Sequence, residues 1–329
     1  MQFRYAIVGL GPAGMFLLSL FPKEWLSDTL VLDPTCVGGD LATQYSGTIA
    51  NIPKATVVSA FQKIPRWSNC SFSHFQAYSD TECPKLADIC RQMRDCVQPD
   101  LRQTTVHTVC MRTLVQTKGG WKLQTDAGTW EAERVILCTG ARPKVLDLPK
   151  PTLPLSNALC RTRLQASVSP TTKVVVFGLS HSGTLVLRNL YTIGCTRVTG
   201  VYRGDTPFVF ARDGNPTGIK QESAAIADEI LTNAWGDATP TLLNSEDFCA
   251  VYRAVSSAEM VVYSIGFESV YPHCVKEDGT EYCVRHNART GECEGVPNLW
   301  GFGIGFPTQD VGFHAFIDAI RSSTLLPNE

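Results

Sequence analysis

The stretch Tyr5-Ala-Ile-Val-Gly9-Leu-Gly11-Pro-Ala-Gly14 decides the fold of this chain. Its three glycines have the spacing Gly-x-Gly-x-x-Gly and directly follow an apolar run that is typical of a buried strand. The first glycine permits a tight turn, the second lets the backbone approach a pyrophosphate, and the third lets helix and strand pack closely. Phosphates then bind the free N–H groups at the helix N-terminus. The stretch therefore predicts a dinucleotide-binding βαβ unit.

The residues around this first fingerprint agree with that prediction. We predict a strand over residues 3–8, a helix over residues 15–21 and a second strand over residues 29–32. Asp33 ends the second strand about 20 residues beyond Gly14, where an acidic side chain accepts a hydrogen bond from a ribose hydroxyl. The alternative is a glycine turn that binds nothing, but the ordered succession of strand, glycines, helix, strand and acid favours a dinucleotide.

A second fingerprint, Lys173-Val-Val-Val-Phe-Gly178-Leu-Ser-His-Ser-Gly183, has the same design. Ser180 replaces the middle glycine and is small enough for a phosphate to approach. A strand over residues 173–177, a helix over 184–191 and a strand over 196–202 are predicted around it. Two such sites in one chain suggest two dinucleotides brought face to face, as in hydride transfer from a nicotinamide to a flavin.

The end of the second fingerprint's second strand bears on the choice of nicotinamide. Arg203 stands there instead of an acid, and an arginine pairs with a 2′-phosphate, so we predict NADPH. The alternatives are that Arg203 is only a solvated strand end, or that Asp205 serves NADH. His181 is expected to donate a hydrogen bond to phosphate or to cap the helix, and a general-base role is the other interpretation.

The composition limits the classes of function. The 329 residues suffice for two domains with cores of their own. A formal net charge of −2 gives no basic excess for nucleic acid or an anionic membrane surface. No stretch approaches the roughly 18 apolar residues of a membrane span, and no signal peptide is evident. We therefore expect a cytoplasmic protein that binds no nucleic acid.

The thirteen cysteines are scattered and include no Cys-x-x-Cys pair. The sequence thus shows neither a thioredoxin-type redox pair nor a zinc site. Cys138 lies in an apolar run, which is typical of a buried free thiol. The cysteines and the histidine between residues 274 and 293 match no ligand spacing, and we predict no metal site.

Three further segments carry a resemblance to a known family: Val37-Gly-Gly-Asp-Leu41, Asn51-Ile-Pro53 and Val135-Ile-Leu-Cys-Thr-Gly-Ala-Arg-Pro143. With the first fingerprint, they make nearly the whole chain resemble the two-dinucleotide-binding flavoprotein superfamily. This superfamily includes the pyridine nucleotide-disulfide oxidoreductases, the thioredoxin-reductase-like proteins and their flavin monooxygenase relatives. The resemblance implies an α/β fold with two Rossmann-like, three-layer dinucleotide-binding domains, the second inserted in the first. Residues 1–148 and 256–329 would form the FAD-binding domain, and residues 149–255 the NAD(P)-binding domain.

The fingerprints and the resemblance together give two sets of candidate cofactor residues. The residues expected at FAD are Gly9, Gly11, Pro12, Ala13, Gly14, Asp33, Pro34, Gly39, Asp40, Leu41, Asn51, Cys138, Thr139, Gly140, Gly303 and Ile304. The residues expected at NADPH, with NADH as the other option, are Gly178, Ser180, His181, Ser182, Gly183 and Arg203.

The chain departs from the reductases of this superfamily at two points. Their final loop carries Gly-Asp, whose carboxylate holds a ribityl hydroxyl, whereas Gly303 is followed by Ile304. Their redox Cys-x-x-Cys is missing, and Cys160 stands alone near the second fingerprint. Cys36 lies near the expected flavin in sequence without a partner at short spacing, so a one-cysteine mechanism is the alternative there.

The function that these residues imply is an FAD-dependent NAD(P)H oxidoreductase. NADPH would reduce FAD, and FAD would pass electrons to an unidentified small-molecule or protein acceptor, with no catalytic side chain identified. Two alternatives remain, namely a flavin-dependent monooxygenase that hydroxylates with O₂ and a non-catalytic FAD-binding sensor or structural protein. A homodimer is one option for the assembly.

Overall fold

The computed structural model describes residues 2–215, 217–308 and 312–327. The chain divides into two compact units, which are described separately below. The first unit consists of Met1–Ser46, Pro53–Arg142 and Glu268–Glu329, and the second of Gly47–Ile52 and Pro143–Phe267. None of the helices in the described residues is long and apolar enough to cross a membrane.

The elements follow one another in the order β1, α1, β2, α2, α3, α4, β3–β7, α5, α6, β8, α7, β9, α8, β10, α9, β11–β14 and α10. The strands are β1 Gln2–Val8, β2 Thr29–Asp33, β3 Thr105–Thr108, β4 Met111–Thr117, β5 Gly120–Thr125, β6 Thr129–Leu137, β7 Ala141–Pro143, β8 Val174–Phe177, β9 Val198–Tyr202, β10 Thr241–Asn244, β11 Met260–Tyr263, β12 Phe267–Ser269, β13 His273–Lys276 and β14 Leu299–Gly301. The helices are α1 Pro12–Leu20, α2 Gly39–Thr43, α3 Lys54–Gln62, α4 Leu86–Leu101, α5 Leu155–Ala158, α6 Arg161–Gln165, α7 His181–Thr192, α8 Gln221–Leu231, α9 Phe248–Ser257 and α10 Phe313–Arg321.

The first unit is built on an eight-stranded sheet in the order β13-β4-β5-β6-β1-β2-β3, with β14 also paired to β6. Strands β6, β1, β2 and β3 are parallel, while β5 is antiparallel to both β4 and β6. Strand β1 lies between β6 and β2, and its residues 5–7 are fully buried. A continuous apolar run is what a parallel strand covered on both faces requires.

Helix α1 follows β1 directly and packs against α4 and α10. Every residue from Ala13 to Ser19 is buried, so the helix has no solvent face. The rings of Phe16, Phe61 and Trp67 meet edge to face at centroid separations of 5.3–5.8 Å. This aromatic cluster holds the middle of the first fingerprint helix in place.

The second unit contains a four-stranded parallel sheet in the order β10-β9-β8-β11. Helix α7 leaves β8 through the second fingerprint and packs against α8, α5 and α6. The short segment Gly47–Ile52 belongs to this unit although it precedes most of the first unit in sequence. The second unit is therefore made from two separate pieces of chain.

Several elements differ from those that the sequence predicts. Residues 105–116 alternate in polarity, as one strand would, but they form two strands, because Val109 and Cys110 donate their N–H groups to Asp33 O and Asp126 Oδ1 and so separate β3 from β4. The last strand, β14, ends at Gly301. Helices α3 and α9 have no counterpart among the predicted elements.

The boundaries of the units also lie elsewhere than the domain boundaries expected after residues 148 and 255. The chain passes between the units after Arg142 and after Phe267. The second boundary comes later because β11 pairs with β8 in parallel register and so completes the second unit's sheet. Strands β7 and β12, which lie at these two crossings, pair with each other.

Candidate nucleotide-binding sites

The first fingerprint forms a turn in which backbone atoms nearly touch. Gly9 has φ +99°, and a Cβ there would lie 2.3 Å from the carbonyl O of Cys138. A Cβ on Gly14 would lie 2.2 Å from the carbonyl O of Gly9. Real Cβ atoms do not approach oxygen so closely, so both positions require glycine for the fold itself.

Gly11 has a different environment. Its φ of −74° and ψ of −170° suit any residue, and the nearest atom to a Cβ would be Gly38 O at 4.0 Å. Helix α1 begins at Pro12, and the N–H groups of Ala13 and Gly14 belong to its first turn, where they have no partner within the helix. The loop thus offers an open face beside a helix N-terminus, which suits a phosphate group.

The start of α2 borders this open face. A Cβ on Gly39 would lie 3.2 Å from Gly11 Cα, so the start of α2, with Asp40 and Leu41, lies over the fingerprint. Partial loss of hydration, together with the nearby Asp33 charge, raises the pKa of Asp40.

The chain after β6 and the chain after β14 lie together on the other side of the same turn. Cys138 N–H donates to Val8 O at 2.7 Å, Thr139 Oγ1 donates to Val270 O, and Gly140 has φ +75°. A Cβ on Gly303 would lie 2.7 Å from Ala13 Cβ. Ile304, the next residue, is half exposed. The contact with Ala13 brings Gly303 and Ile304 to the N-terminus of α1.

Asp33 is placed differently from its neighbours. Its Oδ2 accepts from Leu10 N–H at 2.7 Å, and its Oδ1 accepts from Thr35 N–H at 2.8 Å, Thr35 Oγ1 at 3.1 Å and Cys36 N–H at 2.6 Å. The residue is 3% exposed. Pro34, the next residue, is exposed. The structure thus directs this carboxylate at Leu10 N–H of the first fingerprint and at donors of its own loop.

Asn51 is the one predicted FAD residue that does not belong to the first unit. It lies in Gly47–Ile52, where its Nδ2 donates to Gly218 O at 3.3 Å. Its Oδ1 is buried and has no hydrogen-bond partner among the described residues. Its role at a flavin stays a prediction.

The second fingerprint repeats the geometry of the first. Gly178 has φ +85°, and a Cβ there would lie 2.3 Å from Ser264 O, just as Gly9 approaches Cys138. A Cβ on Gly183 would lie 1.8 Å from Gly178 O. Ser180 has φ −78° and ψ −165°, close to the values of Gly11, and its side chain is exposed before α7.

His181 contacts two other segments of the second unit. Its Nε2–H donates to Ile49 O at 2.9 Å, and its Nδ1 lies 3.1 Å from Ser223 Oγ. Burial lowers the pKa of His181, so the ring is neutral at pH 7 and Nδ1 is its unprotonated nitrogen. The one proton of the Ser223 hydroxyl has two acceptors within reach, His181 Nδ1 and Lys220 O, the latter at 2.8 Å. His181 therefore joins α7, α8 and Gly47–Ile52, while Ser182 in the first turn remains half buried.

Matching hydrogen bonds show which residues occupy equivalent places in the two units. Gly9 N–H donates to Leu32 O and Gly178 N–H donates to Val201 O, each at 2.8 Å. The residue after Leu32 is Asp33, and the residue after Val201 is Tyr202. Tyr202 therefore replaces the acid, and Arg203 is exposed one position beyond it.

The pKa values of two half-buried cysteines, Cys36 after β2 and Cys160 before α6, are shifted in opposite directions. Burial raises the pKa of Cys36, and the adjacent Asp33 charge adds to this effect, which disfavours the thiolate that a one-cysteine mechanism needs. Cys160 lies before α6 with its Sγ 3.3 Å from Thr162 Oγ1. Hydrogen bonds from Thr162 and Arg163 lower its pKa to about 7.

Sequence reasoning missed Ser264, Ile49 and Ser223. A signal for Ser264 was present, because residues 261–266 repeat the pattern of an apolar strand ending in glycine that residues 135–140 show. No comparable signal marks Ile49, whose carbonyl is a main-chain group. In residues 2–215, 217–308 and 312–327, no group of three His, Cys, Asp or Glu side chains is arranged to hold a metal ion.

Comparisons with known proteins bear on the fold. No family model matches the chain. Monooxygenase AgnR1 of Paecilomyces divaricatus is 24% identical and matches over 96% of this chain and 95% of its own length. The bacillithiol disulfide reductase Bdr (YpdA) from Staphylococcus aureus gives a TM-score of 0.66 at 16% identity, covering 97% of each chain. A flavin-containing monooxygenase from Stenotrophomonas maltophilia gives 0.58 at 13% identity, covering 98% of each.

These similarities extend over nearly the entire chain. They confirm the predicted α/β fold and the predicted resemblance to the two-dinucleotide-binding flavoproteins. Because the identities to the solved structures are low, the likeness to them is one of fold.

We expect Cys160 to be alkylated by iodoacetamide faster than Cys36 at pH 7. A pKa of about 7 leaves about half of the Cys160 thiol as the reactive thiolate at that pH. The rate should fall as the pH drops below 7 and level off about one unit above it. Peptide mapping by mass spectrometry after timed alkylation measures both residues.

The variant Thr162→Val tests the cause of this reactivity. Removing the hydroxyl should move the midpoint of the Cys160 rate profile to higher pH, because the largest contribution to the lowered pKa comes from Thr162. A profile that Thr162→Val leaves in place contradicts the assignment.

Proposed function

We propose that this chain is an FAD-dependent oxidoreductase that takes hydride from NADPH and passes electrons to an acceptor still to be identified. The first fingerprint would bind FAD and the second would bind NADPH. The proposal is supported by the two strand–loop–helix turns of matching geometry, by the similarity to Monooxygenase AgnR1 and by the fold shared with a flavin-containing monooxygenase, each along nearly the full chain.

The observation that carries the proposal is the glycine at position 11. Gly9 and Gly14 are required by close backbone contacts, whereas at Gly11 neither φ nor space within the described residues requires glycine. A Cβ on Gly11 would project into the open face at the N-terminus of α1. A bound pyrophosphate explains why that space is kept free.

The residues of the first unit fit FAD at several points. Ala13 and Gly14 would donate main-chain N–H groups to the pyrophosphate, with the positive end of the α1 dipole behind them. Gly140, Gly303 and Ile304 would border the remainder of the cofactor through their backbone. Bound FAD supplies an acceptor for hydride and a store for two electrons.

The second unit fits a phosphorylated nicotinamide dinucleotide. Ser180 would donate its exposed hydroxyl to a phosphate, and Gly183 lies in the first turn of α7. Arg203 is exposed, forms no ion pair within the described ranges, and lies next to the place where an acid would select NADH. These features favour a 2′-phosphate and hence NADPH.

Hydride transfer makes modest chemical demands on the side chains. Orientation of the donor and acceptor atoms contributes most of the rate, and no acid–base pair is needed. The sequence has no Cys-x-x-Cys, and the Cys36 thiol is held protonated by its raised pKa. Electrons would therefore pass from the flavin directly to the acceptor.

The second candidate function is a flavin-dependent monooxygenase. It is favoured by the similarity to Monooxygenase AgnR1, which extends over 95% of that protein. In that case O₂ would be the acceptor and one oxygen atom would enter a substrate. A non-catalytic FAD-binding sensor is the third option, because Ile304 stands where the reductases carry an acid.

We expect the purified protein to be yellow and to lose its flavin absorbance rapidly when NADPH is added without oxygen. The visible spectrum, followed by anaerobic stopped-flow mixing, measures both properties. Retained colour after NADPH and NADH would contradict the oxidoreductase and support the sensor. If bleaching occurs, hydrogen peroxide yield after readmission of air separates uncoupled oxidase behaviour from transfer to an added acceptor.

A matched pair of glycine variants tests the carrying observation. Gly11→Ala should leave thermal stability nearly unchanged and strongly reduce FAD retention, because its Cβ enters only the space assigned to the pyrophosphate. Gly14→Ala should destabilise the protein itself by roughly 1–3 kcal/mol, because its Cβ meets Gly9 O. Thermal unfolding of the flavin-free proteins and flavin absorbance after reconstitution check both. Full flavin retention by Gly11→Ala would refute the assignment.

The variant Arg203→Ala should weaken NADPH binding by about tenfold or more while changing NADH binding little, because only NADPH has the 2′-phosphate. Arg197→Ala is the matched control, since Arg197 is an exposed arginine before the opposite end of β9. Anaerobic titration of flavin reduction gives six affinities, one for each nucleotide with the unmodified protein and with each of the two variants. Equal losses for both nucleotides would show that Arg203 does not contact the phosphate.

A further inference from the structure

The carboxylate of Asp33 has little capacity left for a ligand. An ionised carboxylate offers about four acceptor positions. Asp33 already has four partners, three on Oδ1 and one on Oδ2. With 3% of its surface exposed, the unused position on Oδ2 is enclosed by protein. A ribose hydroxyl would have to displace either the Thr35 hydroxyl or a main-chain donor, and displacing Leu10 N–H or Cys36 N–H would leave an N–H group of the turn without its partner.

The partners of Asp33 belong to the two loops that shape the first site. Leu10 directly precedes Gly11, so the bond to Oδ2 fixes the phosphate-binding turn to the end of β2. Cys36 has φ +54°, a left-handed conformation that is unfavourable for a side chain other than glycine. The bonds from Thr35 and Cys36 to Oδ1 hold this turn in place.

The second unit provides an internal comparison. Its residue in the same register is Tyr202, as two pairs of equivalent bonds show. In the first pair, Gly9 N–H donates to Leu32 O and Gly178 N–H donates to Val201 O. In the second pair, Val109 N–H donates to Asp33 O and Ser245 N–H donates to Tyr202 O. A phosphate-binding turn of the same shape therefore forms there without a carboxylate. The turn after the strand differs in the residue that adopts a positive φ, which is Gly204 at +93° in the second unit and Cys36, a residue with a side chain, in the first.

We propose that Asp33 is a positioning residue that ties the phosphate-binding turn of the first site to the left-handed turn at Cys36, and that its carboxylate does not hold the adenosine ribose. The site would then select its dinucleotide by the pyrophosphate and tolerate changes in the adenosine ribose hydroxyls. The inference deepens the proposed function and depends on it for the identity of the dinucleotide.

The first experiment needs no ligand. The midpoint of thermal unfolding is measured for the flavin-free protein, for Asp33→Asn and for Asp28→Asn, an exposed aspartate just before β2. Asn keeps the shape but turns an NH₂ group toward N–H donors. We expect the midpoint to fall by several degrees for Asp33→Asn and to stay unchanged for Asp28→Asn. Equal midpoints for all three would overturn the positioning role.

The second experiment uses the unmodified protein, so it does not depend on whether Asp33→Asn folds. The flavin-free protein is titrated with FAD and with an FAD analogue whose adenosine carries 2′,3′-dideoxyribose, followed by flavin fluorescence. We expect the two dissociation constants to agree within about threefold. A preference for FAD of roughly tenfold or more, the size expected for a hydrogen bond to a charged group, would overturn the proposal.

Asp33→Asn separates the two roles in the same titration. A positioning role predicts that both ligands lose affinity by the same factor, whereas a ribose contact predicts loss for FAD alone. If the unmodified protein binds neither flavin, the proposed function fails, and the thermal comparison still decides what Asp33 does.

Discussion

The structure depends on two places where a helix leaves a strand with no side chain between them. At Gly14 and at Gly183 the helix backbone lies so close to the preceding turn that one methyl group would overlap a carbonyl oxygen. This contact sets the direction of α1 and α7, because each helix begins at the turn itself. The open face of each turn and the polar groups near it are therefore placed by a steric limit on the backbone rather than by attraction between side chains.

The sequence predicts the parts of the fold that depend on short-range constraints. Gly9, Gly14, Gly178 and Gly183 can be interpreted from spacing alone, because each glycine acts within its own strand–turn–helix. The assignment of Gly47–Ile52 to the second unit could not be predicted. It depends on a main-chain carbonyl that accepts a bond from His181, and a carbonyl has no signature in the sequence. The separation of β3 from β4 has the same origin, since it follows from a bond between Val109 N–H and the main-chain carbonyl of Asp33.

Two polar side chains that the sequence predicts at the cofactors, Asp33 and His181, instead form hydrogen bonds within the protein. Asp33 and His181 both stand beside a fingerprint, and both are bonded on each side to groups of their own unit. Ser180 and Arg203 are exposed instead, and Gly11 is half buried. Sequence spacing indicates the loop to which a side chain belongs, but the orientation of the side chain depends on hydrogen-bond partners from distant segments. Residue type alone therefore gives an incomplete account of these sites.

The composition of the second unit from two pieces of chain has a consequence for how the protein is made. Ile49 leaves the ribosome early, yet its partner His181 follows only after most of the first unit has been synthesised. The sheet of the first unit is completed even later in synthesis, because its strands β13 and β14 come from the final part of the chain. Neither unit can finish folding when its central strands leave the ribosome, because other segments of the unit are not yet synthesised. We therefore expect both units to fold late in synthesis, after their early segments have been exposed to solvent for a long time.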